Sequence, residues 1–312
     1  MKPRALFFGT PEFAVASLDA LTEVAEVVGC VCQPDRPHGR GMVLAPPPVK
    51  VRATELGIPV VQPTKLRTGE FGAWVRESRV DVALVVAYGR ILPRDVLDGP
   101  RLGCVNVHAS LLPKYRGAAP ITWAVVQGES ETGITLMLLD EGMDTGKMLA
   151  KFVTKIDDHE TAGALSVRLA LIGAEAVRSG VARYIAGGYV PEAQDEAQVT
   201  LAPMLKKEDG LIHWSRRAKV VHDHVRGMSP WPGAFTFLRG KAVKVHQTSV
   251  VRGMGAQPQP GEVLFADKSR LVVAATDGAV ELLSIQLEGK KPVRGVDWVM
   301  GRGIAIGDVL GA

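Results

Sequence analysis

The first two thirds of the chain alternate short, almost wholly apolar runs with stretches whose apolar positions recur at helical spacing. "ALFFG" (Ala5–Gly9) reads as a buried strand closed by glycine. "PEFAVASLDALTE" reads as a helix with Pro11 in its first turn, where the missing N–H costs nothing. Further strands are predicted at Glu26–Gln33, Val80–Gly89, Gly103–Ser110, Gly133–Asp140 and Lys147–Ile156, and a long amphipathic helix over 159–187. The run Val80–Gly89 is apolar throughout, so helices should cover both its faces. Lys147–Ile156 alternates enough to be an edge strand. This order predicts an α/β fold: a Rossmann-like, mostly parallel sheet with helices on both faces.

Beyond residue 188 the pattern changes. A polar, irregular stretch over 189–208 reads as a linker, so a first domain is expected over 1–188 and a second over 209–312. The second opens with a short helix, Ala218–Arg226. Strand-like runs follow: "AFTFLRG", "KAVKVHQTSVV", "GEVLFAD", "RLVVAAT" and "AVELLSIQ". Short strands broken by Gly, Asp and Lys turns predict a small antiparallel β-barrel, with a five-stranded oligonucleotide-binding (OB-like) barrel as the natural form.

Composition narrows the class. With 312 residues, 46% hydrophobic and 22% charged, the chain is an ordinary globular one with ample core. Its three cysteines show no zinc spacing and no disulfide framework. The start "MKPRALFFGTPEF" has too short an apolar run for a signal peptide, and no stretch reaches membrane-spanning length, so a cytoplasmic location is expected. Charge is uneven: residues 1–205 hold 21 Lys/Arg against 23 Asp/Glu, and residues 206–312 hold 16 against 10. The basic C-terminal third suggests an anionic partner, although a solvated basic face would look the same.

In an open α/β sheet, ligands bind beyond the carboxyl ends of the strands. "GTPEFA" after the first strand is not a dinucleotide-binding glycine motif. "GMDTGKM" is one residue short of a phosphate loop and has Met148 where Ser or Thr should ligate magnesium. His222 and His224, two apart on a helix, face different ways and make a poor metal pair, so no metal is expected. One concentration of chemistry remains. Asn106, the only asparagine in the chain, lies two residues before His108 on one strand, so both side chains project to one face. "DEGMDTG" (Asp140–Gly146) follows another strand and is expected at the same rim, which would make Asp144 available to the pair. An amide, an imidazole and a carboxylate suit acyl transfer to a nucleophile supplied by a second substrate, with an oxyanion intermediate. The same spacing also fits packing, with Asn106 capping a turn and His108 filling a core.

"NVHASLLPKYRGAAPI" followed by "ETGITLMLLDEGMDTGKML" resembles the folate-dependent formyltransferases. "FFGTPEFAVASLDAL", "VCQPDRPHGRG", "VVAYGRILP" and "SPWPGAF" narrow the resemblance to those that act on methionyl initiator tRNA, over about Ala5 to Leu287. The resemblance implies transfer of a formyl group from 10-formyltetrahydrofolate to the α-amine of initiator methionyl-tRNA by a monomer. It implies Asn106, His108 and Asp144 as the catalytic trio, Asn106 and His108 binding the oxyanion and Asp144 holding the imidazole. It places the folate against Tyr88, Gly89, Arg90, Ile91, Leu92, Ser110, Leu111, Leu112, Pro113 and Asp140, and the methionyl side chain by Thr10, Pro11 and Phe13. It assigns tRNA contacts to Arg36, Arg40, Lys206 and Lys207, the first two on a Gly/Pro-rich segment, Gln33–Lys50, too long for an ordinary link. Two departures stand out: "MVLAPPP" replaces the usual lysines after Gly-Arg-Gly, and His213 replaces an acid before Trp214. A formyltransferase for a small amine (a purine precursor or amino sugar) would share the trio. An RNA-binding protein with an inactive formyltransferase domain is the alternative outside enzymes.

Overall fold

The computed structural model describes residues 2–38, 43–251 and 258–311. The chain divides into two compact units. The first comprises 1–120, 131–155 and 166–203; the second comprises 121–130, 156–165 and 204–312. The segment expected to be a linker therefore belongs, through residue 203, to the first unit.

A seven-stranded sheet forms the first unit. Its strands are β1 (Arg4–Gly9), β2 (Glu26–Val31), β3 (Val60–Val61), β4 (Val82–Val86), β5 (Cys104–His108), β6 (Glu131–Leu138) and β7 (Met148–Lys155), in the order β7-β6-β5-β4-β1-β2-β3. Strands β1 to β5 run parallel. The central strand β4, "VALVV", is buried at every position, as a strand covered on both faces must be. Leu6, Phe8, Val75, Ala83 and Val85 share one apolar cluster.

One expectation is corrected at the edge. Strand β6 pairs antiparallel with β5, His108 opposite Thr135 and Val105 opposite Leu138, and β7 pairs antiparallel with β6. The end of β6 therefore lies at the start of β5, the rim opposite His108. The loop 139–147 must fold back to bring Asp144 near that histidine. The segment Gln33–Lys50 is also less irregular than its composition suggests. Arg36–His38 pairs with Val43–Ala45, and a helix begins at Pro48.

In the second unit, β8 (Ala234–Leu238), β9 (Lys241–Val251), β10 (Val263–Ala266), β11 (Leu271–Ala275) and β12 (Gly278–Leu287) form an antiparallel sheet in the order β8-β9-β12-β11-β10. The C-terminal segment joins its two edges. Val309 bridges Glu262 beside β10, and Gly311 N donates to the Phe237 carbonyl of β8 at 2.8 Å. This closes the sheet into a barrel. The helix Ala218–Gly227 packs its apolar side, Val221 and Val225, into the barrel core with Val243, Val245, Val273 and Ile285. His222 of that helix packs, with Nδ1 at 3.0 Å from Thr248 Oγ1 and Nε2 at 2.9 Å from the Asp158 carbonyl. The three cysteines are free and buried.

Candidate active site

The site is built at the end of β5. Asn106 and His108 point to one face, because successive strand residues alternate. His108 is 6% exposed. Its Nε2 lies 3.0 Å from the Tyr115 carbonyl, which only accepts, so Nε2 carries a hydrogen. Its Nδ1 faces Asp144 Oδ1 at 3.6 Å, ion-pair rather than hydrogen-bond distance.

Asp144 is the hinge of the returning loop. It has φ of 55°, a left-handed conformation that Asp tolerates better than most residues. Its Oδ2 accepts from Gly117 N at 2.8 Å. Gly117 could hardly be anything else: with φ of 128°, an added Cβ would lie 2.5 Å from the Ala202 carbonyl oxygen. Asn106 differs from its neighbours. It is partly exposed, and among the described residues its amide has no hydrogen-bond partner. Nε2 of His108 is engaged by Tyr115, and Asn106 is a direct donor available to an incoming oxygen. The expectation that both residues contact the oxyanion directly requires His108 to leave one of its two partners.

The other expected residues fall into two groups. Gly89 and Ile91 are exposed beyond β4, and Arg90 is tied to the Pro63 and Thr64 carbonyls at 3.1 and 3.0 Å. Leu111 is partly exposed. Tyr88, Leu92, Leu112 and Pro113 are buried. The Tyr88 ring packs edge-on to Phe8 at 5.5 Å, inside the apolar cluster. Ser110 Oγ donates to the Lys114 carbonyl at 2.6 Å. Asp140 is exposed, and its Oδ1 accepts from Gly142 N and Thr145 Oγ1, shaping its own loop. Thr10 is tied to the β4 loop, its hydroxyl donating to the Tyr88 carbonyl at 3.1 Å. Pro11 is exposed and Phe13 partly so. Arg36, Lys206 and Lys207 are exposed; Arg40 lies outside the described residues.

Sequence reading missed the supports. Thr135, fully buried, donates to the Ser110 carbonyl at 2.6 Å and accepts from Leu112 N at 3.1 Å, fixing the loop after β5. Gln194 holds the Asp144 loop by its backbone. A threonine on a strand and a glutamine in a polar stretch carry no signal of such roles. Among the described residues, no group of three or more His, Cys, Asp or Glu is placed to hold a metal. No helix among them is long and apolar enough to cross a membrane.

Residues 2–179 match the model of the formyl transferase family, and residues 204–303 match that of the formyl transferase C-terminal domain. The chain is 55% identical to a methionyl-tRNA formyltransferase of Sorangium cellulosum, over 99% of each chain. It is 46% identical to one of Myxococcus xanthus, over 98% of this chain and 97% of the other. Among solved structures it is similar to an N-formyltransferase from Helicobacter canadensis in complex with folinic acid and dTDP-3-aminofucose. That likeness has a TM-score of 0.69 and 17% identity, and covers 90% of this chain and 99% of that one. HypX from Aquifex aeolicus in complex with tetrahydrofolic acid gives 0.61 and 18%, covering 95% of this chain and 47% of that one.

Proposed function

We propose a reaction from one premise: the chain belongs to the formyl transferase family, and it is a formyl-transferring enzyme. It moves the formyl group of 10-formyltetrahydrofolate to the α-amine of initiator methionyl-tRNA. The observation that carries this reading is the Asn106 amide, which has no hydrogen-bond partner among the described residues, beside the His108–Asp144 pair.

The neutral amine attacks the formyl carbon, and the carbonyl oxygen becomes an oxyanion. Asn106 donates to it; an acid at this position would repel it, and a glutamine would overreach. A fixed donor of this kind contributes a factor of about 10²–10³ in turnover. The proton leaving the amine passes towards Asp144, directly or through water. The bond from the formyl carbon to the folate nitrogen then breaks, and that nitrogen takes up a proton, so none is gained or lost overall. His108, its Nε2 held by the Tyr115 carbonyl and its Nδ1 turned to Asp144, stands beside the oxyanion. The folate occupies the rim formed by Gly89, Ile91 and Leu111, and the methionyl side chain lies by Pro11 and Phe13. Arg36, Arg40, Lys206 and Lys207 contact the tRNA, their charges tracking phosphates.

The test is direct. The protein is incubated with 10-formyltetrahydrofolate and charged initiator tRNA, and the hydrolysed product is searched for N-formylmethionine. Formylation of a free amino sugar nucleotide with charged tRNA untouched would replace this reading by the small-amine one. Folate binding without formylation of either would leave an inactive RNA-binding chain.

A further inference from the structure

The loop that carries Asp144 is secured by a segment whose polar pattern reads as a linker. Gln194 Nε2 donates to the carbonyl of Asp144 at 2.7 Å and to that of Gly146 at 2.8 Å. Gln194 Oε1 accepts from Arg116 Nε at 3.0 Å. Chemistry fixes this orientation of the amide. Arg116 offers only donors and the two carbonyls only acceptors, so a flipped amide would oppose all three contacts. Arg116 is itself 6% exposed, and its fork is held by Glu196 at 3.1 and 2.7 Å.

The rest of the segment grips the turn after β5. Thr200 accepts from Arg116 N through its carbonyl and from Tyr115 N through its hydroxyl, both at 2.9 Å. Ala202 accepts from Ala119 N at 3.1 Å. That turn supplies the Tyr115 carbonyl to His108 and the Gly117 N–H to Asp144. One strap, 194–202, thus sets a polar partner of both members of the pair. Asp144 sits in a left-handed conformation, which persists only where the surroundings over-determine it. Gly146 is pressed against the loop's start, an added Cβ lying 1.8 Å from the Leu138 carbonyl oxygen. Gln194 bridges these two constrained residues.

We propose that Gln194 is a positioning residue for formyl transfer, acting through the backbone of the Asp144 loop to hold the carboxylate against His108. This rests on the formyl-transfer reading and on Asp144 taking part in it. Gln194→Glu keeps the shape and the Arg116 contact but turns both donors into repulsion. In the full-length protein it should lower kcat about 10–100-fold, leave KM for folate and tRNA within about twofold, and keep the unfolding temperature near the parent's. It should also move the pH at which kcat is half-maximal, since the His108–Asp144 pair is loosened. The same substitution in an Asp144→Asn background should cost less than about twofold more, because the side chain being positioned is already disabled. If the added charge unfolds the protein, Gln194→Met gives the same comparison. An equal fold-loss in both backgrounds, or a raised KM with kcat intact, would overturn the proposal. Asp144→Asn crippled beside a fully active Gln194→Glu would overturn Gln194 alone and leave the site's reading standing. A fully active Asp144→Asn would overturn both.

Discussion

Asn106 shows how a single residue's isolation becomes chemistry. A partly exposed amide without a partner among the described residues, on a strand whose other residues are packed, costs little when wet and is ready to donate when water is displaced. Asn106→Ala should fold normally and lose about 10²–10³-fold in kcat with little change in KM. A loss under tenfold in a well-folded variant would sink the oxyanion role. Asn106→Asp, isosteric but negative, should be no better than alanine. Gly117→Ala works from the other side: its methyl would meet the Ala202 carbonyl at 2.5 Å, so the N–H that holds Asp144 must move. Both kcat and the unfolding temperature should fall. Rates at parental level would show that the turn can shift without loosening the carboxylate. At this scale the sequence was partly readable. Period-two spacing placed Asn106 and His108 on one face, whereas Asp144 was expected beside them from a shared strand rim, and it reaches them instead by a loop folding back from the opposite rim. The partners of His108 and Asp144 are the Tyr115 carbonyl and the Gly117 N–H, which every residue type offers and no sequence advertises. Tyr88 is ambiguous in sequence for a related reason. An aromatic at the end of a buried strand looks the same whether its ring lines a ligand site or, as here, packs on Phe8.

Among the elements, strand positions could be read and the direction of β6 could not. A strand buried on both faces has the same composition whichever way it runs, and the link from 109 to 130 holds only one short helix, Pro120–Val126. The antiparallel turn has a consequence for the loop after β5. It brings Thr135 opposite His108, and from there its hydroxyl satisfies the Ser110 carbonyl and the Leu112 N–H. Thr135→Val keeps the volume but leaves both backbone groups buried and unpaired, at a cost of about 1–3 kcal/mol for each. Chemical denaturation should show a lowered midpoint with an unchanged slope. An unshifted midpoint would mean that water replaces the hydroxyl. The helix Ala218–Gly227 carries a pH signature. Burial pushes the His222 and His224 imidazoles below their usual 6.5. The unfolded chain therefore takes up protons at 6.5 that the folded one refuses. Stability is full above that pH and is lost as pH falls from 6.5 towards the lowered folded values. The thermal midpoint should drop between about pH 7 and about pH 5.5, and less steeply in His222→Gln. A flat profile for the parent would show that other groups compensate.

For the molecule as a whole, the change from strand–helix alternation to short strands revealed two units, but not how the chain is shared between them. Residues 121–130 and 156–165 belong with the C-terminal unit. Trp123 and Val126 pack against its core, although both precede it by some eighty residues of sequence in which nothing marks them as its own. The barrel's closure by residues 307–311 was equally hidden, since "GDVLG" has no strand pattern, yet its backbone bonds to Gly261 and Val263 on one edge and to Phe237 on the other. These facts decide how the basic C-terminal third must be tested. Removing residues from about 204 onwards would bare Trp123 and Val126, and a loss of tRNA binding could then mean misfolding alone. Point neutralisation avoids this. Lys206 and Lys207 are exposed, as are Lys241 and Lys244 on β9, so changing them to glutamine leaves the core intact. If these charges replace counterions on RNA, log affinity against log salt should become shallower by about 0.7–0.9 for each phosphate no longer neutralised. Folate affinity should stay at the parental value, because none of these lysines belongs to the unit that carries the β5 site. A parallel loss of folate binding would mean that these lysines support the fold. An unchanged slope would mean that the excess of 16 basic over 10 acidic residues is a solvated face, and that the RNA is held elsewhere.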